Sequence, residues 1–97
     1  MIVNVKEDRN RKVITIVDNN LIGKRFNEAS LVLDLTYKYF SGVEKSKQDI
    51  KKLLNQKDVF LVNFIGEESV SFGKELGFVD EVKEIDKIKY AFFLKMI

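Results

Sequence analysis

The stretch VFLVNFI, Val59 to Ile65, is apolar on both faces of an extended chain except at Asn63. A strand of that pattern has no side to turn to water. It predicts a central strand, covered on both sides or by a helix and a partner sheet. An amide buried in such a strand must be hydrogen-bonded, which makes Asn63 the residue to follow.

The flanking sequence supplies elements to surround that strand. Met1 to Lys6 and Lys12 to Val17 are β-branched runs separated by EDRNR, where Asn10 suits a left-handed turn, and they predict an antiparallel hairpin. From Leu31 to Tyr39, apolar and aromatic residues alternate with Val32, Asp34, Thr36 and Lys38, which predicts one long strand or two short ones and favours Tyr37, Tyr39 and Phe40 as core residues over the alternative, stacking surfaces for single-stranded nucleic acid beside Lys38. Ser46, with Asp49 three residues on, predicts the start of a helix running to about Gln56 with Ile50, Leu53 and Leu54 on one face. Gly66 opens a second helix through Leu76, with Val70, Gly73 and Leu76 inward, and Gly77 closes it. The tail reads as a polar connection, DEVKEIDKIK, followed by a buried strand, YAFFLKMI. The sum is an α/β (α+β) fold of two layers, a mixed, mainly antiparallel sheet with two helices on one face.

A chain of 97 residues fits one domain, spanning 1–97, near the size at which a single core holds without staples. It contains no Cys and no His, which excludes disulfides, thiolate metal sites and the side chain that most often does acid–base work at neutral pH. No catalytic residue, metal site or cofactor is therefore assigned. The polar turn after MIVNV and the shortness of the longest apolar run argue for a cytoplasmic protein with no membrane association. High Lys content suits a thermophile. Charge is uneven: residues 1–57 carry twelve Lys and Arg against seven Asp and Glu, net +5, and residues 58–97 carry five against eight, net −3. The amino-terminal part is thus the better surface for a phosphate-rich partner.

Two stretches present polar groups that packing alone does not require. In VDNNLIGKRF, Asn19 and Asn20 turn the chain, Leu21 and Ile22 anchor it, Gly23 lets backbone approach a ligand, and Lys24 and Arg25 supply charge. Asp18, Gly23, Lys24 and Arg25 form the first candidate binding set; a solvated turn is the plainer reading of the same residues. Asn63, Gly66, Glu67 and Tyr90 form a second. Glu67 and Glu68 in the first turn of the second helix complement its dipole and repel phosphate, so Gly66 reads first as a turn residue. Asp80, Glu81, Glu84 and Asp86 lack the spacing of a calcium loop and read as a solvated connection.

The succession IVDNNLIGKRF, LVLDLTYKYFSG, NFIGEESV and GFVDEVKEI resembles an archaeal family known as domain of unknown function 424, over nearly the whole chain. The family pattern has a Cys-Asp pair ahead of Leu-Leu-Gly-Lys, an aromatic pair before Gly-Gly, an Asn-x-x-Gly-Glu strand exit and a terminal Val-Pro-His-Ala-Gln. Asp18, Leu21, Gly23 and Lys24 match the first, Tyr39, Phe40 and Gly42 the second, and Asn63, Gly66, Glu67 and Val70 the third. Val17 stands in place of the cysteine, and Ile88 to Phe92 in place of the terminal motif.

Three function classes follow. The first is a non-enzymatic archaeal binding protein acting with RNA, ribosome-associated proteins or the translation apparatus through Lys24, Arg25 and neighbouring cations. The second is a small-molecule binder, or an enzyme acting on an anionic substrate, using Asp18, Lys24, Glu67 and Tyr90. The third is a protein-interaction or dimerisation module pairing through the final strand, so that the chain is a monomer or a homodimer.

Overall fold

The computed structural model describes residues 1–95. Its elements are β1 (Ile2–Asp8), β2 (Arg11–Val17), β3 (Arg25–Glu28), β4 (Leu31–Asp34), β5 (Val43–Glu44), α1 (Lys47–Leu54), β6 (Val59–Ile65), α2 (Glu67–Glu75), β7 (Lys83–Ile85) and β8 (Ile88–Leu94). A six-stranded sheet has the order β5-β1-β2-β6-β8-β7, and β3 and β4 form a separate two-stranded ribbon. Every pairing is antiparallel except β2 with β6. The fold is α+β, with a mixed, mainly antiparallel sheet. The apolar strand β6 lies inside it, between β2 and β8.

The expected hairpin forms with a two-residue turn, Arg9 and Asn10 both at positive φ, which matches the twist of the strands it joins. Asp86 and Lys87 repeat this turn between β7 and β8. The connection expected over 80–89 therefore contains a short strand and the start of β8. Met96 and Ile97, expected to extend the last strand, lie outside the described residues.

One face of the sheet carries both helices. Ile14 and Ile16 of β2 and Val62 and Phe64 of β6 are fully buried there against Ile50 and Leu54 of α1 and Val70 and Phe72 of α2. Ser46 caps α1 by accepting the amide of Asp49 at 3.1 Å, and the ammonium of Lys95 donates to the carbonyls of Leu54 and Gln56 at its far end, each at 3.1 Å. Leu53 is only half-buried.

The opposite face is covered at one end by the β3–β4 ribbon and its flanking turns. Val17 and Ile65 pack there with Leu21 and Leu35, and Phe26, Leu33, Phe40 and Tyr90 close around them. Here the sequence expectation needs correction. The strand foreseen over 31–39 ends at Asp34, whose carboxylate accepts the Thr36 amide at 3.0 Å and hydroxyl at 2.6 Å. This side-chain turn competes with strand pairing and ends it. The chain then turns tightly, with the amides of Tyr39 and Phe40 both donating to the Thr36 carbonyl. Tyr37 and Tyr39 consequently stand out from the molecule, 79% and 64% exposed, instead of packing inward.

Candidate functional site

The candidate residues fall into three places. The first is a cleft at the carboxyl ends of the parallel strands β2 and β6. Asp18 follows β2, and Gly66, with φ of +105°, follows β6. The Asp18 carboxylate accepts the amides of Glu68 at 2.9 Å and Ser69 at 2.7 Å, and the Ser69 hydroxyl at 2.7 Å. It is thus the N-terminal cap of α2, supplied from another strand because Gly66 has no side chain with which to cap. Any Cβ at position 66 would collide with this carboxyl, so Gly66 is required by both its backbone angle and its neighbour. The cleft has a volume of about 760 Å³, and its charged rim mixes Lys47, Lys87 and Lys89 with Glu67, Glu68 and Glu75.

The second place holds Gly23, Lys24 and Arg25. Gly23, at φ of +87°, sits under the ring of Tyr37, which a Cβ would crowd at 3.2 Å. Its amide donates to the Leu35 carbonyl at 2.8 Å and that of Lys24 to the Leu21 carbonyl at 3.2 Å. Both backbone donors are used within the chain, so attraction of an anion rests on side chains. Lys24 and Arg25 are exposed, Lys38 lies over the Tyr39 ring with its nitrogen 5.3 Å from the centroid, and Arg25 makes a long ion pair of 3.9 Å with Asp34. The Thr36 hydroxyl and amide donating to Asp34, with lesser help from Arg25 and Lys38, hold its carboxyl below the usual range.

The third place lies between the ribbon and the open sheet face, and it receives Asn63 and Tyr90. The Asn63 amide donates to the Thr15 hydroxyl on the adjacent strand at 3.3 Å. Both border a mainly apolar pocket of about 360 Å³. The second set read from the sequence is therefore divided: Gly66 and Glu67 join Asp18 in the cleft, and Asn63 and Tyr90 line the ribbon pocket. Among the described residues no group of His, Cys, Asp and Glu is arranged to hold a metal ion.

Sequence reasoning missed Asp18 as a cap and Lys87 and Lys89 as parts of the cleft's charged rim. A signal for the cap was present. A helix opening Gly-Glu-Glu-Ser has no Ser, Thr, Asn or Asp at its own cap position, so the acceptor must come from elsewhere.

These elements recur in proteins already described. The family model for "Protein of unknown function (DUF424)" matches residues 5–96, and the chain belongs to that family. The crystal structure of an uncharacterized conserved protein from Methanopyrus kandleri superposes with a TM-score of 0.78 at 17% identity, covering 99% of this chain and 93% of that one. The two share the fold. No match is found among curated proteins. The departures from the family pattern at Val17 and Tyr90 are both cross-strand neighbours of Ile65, and all three residues pack in the core under the ribbon.

Proposed function

We propose that the protein is a non-enzymatic, cytoplasmic binder of single-stranded RNA, with Tyr37 and Tyr39 as stacking surfaces and Lys24, Arg25 and Lys38 as phosphate contacts. The observation that carries this reading is the exposure of two tyrosines on a turn that a side-chain hydrogen bond and a glycine hold in place, beside exposed cations. Exposed aromatic rings interleaved with positive charge suit unpaired bases, since every base offers a π face and every linkage a negative charge. The net +5 of residues 1–57 supports the same assignment.

The test is a salt titration of binding to a mixed-sequence single-stranded RNA. Changing Lys24 and Arg25 to Ala should weaken binding and make the slope of log affinity against log salt shallower by about 0.7 per lost contact. The pair Lys51→Ala/Lys52→Ala, on the exposed side of α1, is the charge-matched control. No binding by the unaltered protein near physiological salt, or an equal loss in the control, overturns the reading.

A second reading places a small anionic ligand in the Asp18–Gly66 cleft. Its support is position, because ligands of open α/β sheets gather beyond the carboxyl ends of parallel strands. Against it, Asp18 already occupies the amides of the helix end, and three glutamates share the rim with the lysines.

A further inference from the structure

The six-stranded sheet has two edges, and the chain treats them differently. Strand β5 covers only Ile2 and Val3 of β1, and the length of β1 beyond it ends in Lys6, Glu7 and Asp8. Charges of this kind keep an open edge from pairing with another chain. At the far edge, β7 covers β8 only from Ile88 to Tyr90. The remainder, Ala91 to Leu94, carries no charge, and Phe92 and Leu94 are 54% and 44% exposed. This edge has no such guard.

The pairing of β8 with β6 determines which of its backbone groups face outward. The Lys95 amide donates to the Phe60 carbonyl and the Gly66 amide to the Lys89 carbonyl, each at 2.7 Å, in the register that sets Phe93 opposite Val62. Bonding alternates along an antiparallel ladder, so Lys89, Ala91, Phe93 and Lys95 turn their backbone groups to β6, and Tyr90, Phe92 and Leu94 turn theirs away. Tyr90 meets Lys83 of β7. Among the described residues no strand lies on that side of Phe92 and Leu94, whose N–H and C=O groups are a template for one more strand.

Charge selects the occupant. A groove of about 240 Å³ follows this edge, and Asp80 and Glu81, just ahead of β7, stand in its wall. The carboxyl end of β8 is basic instead: it carries Lys95, whose ammonium reaches the Gln56 carbonyl, and Lys57 comes next in the chain after Gln56. Antiparallel pairing of two such strands about a two-fold axis sets the carboxyl end of each against the amino end of the other. It brings Lys95 and Lys57 of one copy toward Asp80 and Glu81 of the other, twice over. An axis at Phe93 sets Phe92 opposite Leu94 of the second copy, which satisfies the outward groups of both chains and lines up their apolar side chains on one face. With the β1 edge guarded, the association closes at two.

We propose that the protein forms a two-fold symmetric dimer through the Ala91–Leu94 edge of β8, joining two six-stranded sheets into one. The Tyr37 turn lies beside Ile2 and Gly42, toward the β5 edge, so the dimer leaves it open and does not depend on the RNA-binding reading.

The experiment is sedimentation equilibrium of the intact chain from micromolar to submillimolar concentration, at low and high salt, beside amide hydrogen exchange at the same concentrations. The mass should rise from 11.3 kDa to a limit of twice that value, with high salt opposing the rise. The amides of Phe92 and Leu94, which have no acceptor within the described chain, should gain protection in step with the mass. Leu94→Pro removes an N–H that the fold does not use, a change that edge strands accept. It should keep the circular dichroism of the parent and weaken the dimer by about tenfold or more, the loss expected when a hydrogen-bonded contact is removed from each side. Phe92→Lys should do the same by guarding the edge, and Asp80→Lys/Glu81→Lys should weaken the dimer and reverse its response to salt. Val43→Lys, on the exposed β5 edge, should leave the mass unchanged. A mass of 11.3 kDa throughout overturns the proposal, and so does one that climbs without a limit. A dimer in which the Phe92 and Leu94 amides exchange as fast as in dilute solution also overturns it, because the contact then lies elsewhere; this readout uses the unaltered protein and holds even if a variant fails to fold.

Discussion

Replacing Asp18 by Ala strands the amides of Glu68 and Ser69 and the Ser69 hydroxyl at a buried helix end. Loss of a cap and of charged hydrogen bonds predicts a destabilisation of roughly 2–3 kcal/mol, read from denaturant melts, with Asp18→Asn intermediate because one acceptor oxygen survives. Gly66→Val should be at least as damaging, since it combines a backbone angle of +105° with a collision against the same carboxyl. Glu67→Gln, on an exposed side chain, should change stability by less than about 0.5 kcal/mol. If Asp18→Ala melted like the parent, the capping role would be wrong and Asp18 would be free to serve a ligand. The sequence pointed to Asp18 and Gly66 as residues that matter without showing that they matter to each other. Their contact joins residues 48 positions apart and has no local signature.

At the scale of elements, legibility followed the strength of local pattern. β1, β2, β6 and both helices were readable because each has a period, a turn or a cap of its own: Asn10 at positive φ, Ser46 bonded to the Asp49 amide, Gly77 at φ of +80° after α2. β3 was not, since RFNE has one half-buried residue and pairs only with a ribbon partner. The end of β4 was hidden as well. Alternation continued through Thr36 and Tyr37, and a single carboxylate turned the chain against it. Helix α1 provides a graded test. Leu54 is fully buried and Leu53 half-buried, so Leu54→Ala should cost about 2–5 kcal/mol and Leu53→Ala less than half as much. Equal losses in denaturant melts would mean that the helix is rotated about its axis from the orientation described.

At the scale of the whole molecule, the parallel pairing of β2 with β6 determines how the chain comes together. The hairpin β1–β2 needs only a two-residue turn, whereas β2 reaches β6 only after the ribbon, β5 and α1 have been threaded between them. Closing so long a loop costs entropy before it returns any contact, so this seam is expected to form late. It also lies between stretches of opposite net charge, +5 for residues 1–57 and −3 for residues 58–97, and at one end the Lys12 ammonium meets the Asp58 carboxylate at 3.1 Å. A polypeptide cut after Lys57, in the exposed turn ahead of β6, would thus become two pieces whose charges attract and whose missing strands are each other's. Such pieces should reassemble on mixing and recover the circular dichroism of the intact chain, at a rate that falls as salt is added. Failure to recover at micromolar concentrations would show that covalent continuity across 57–58 is needed to zip the seam. Recovery would make this small fold a split reporter, able to signal when two attached proteins meet.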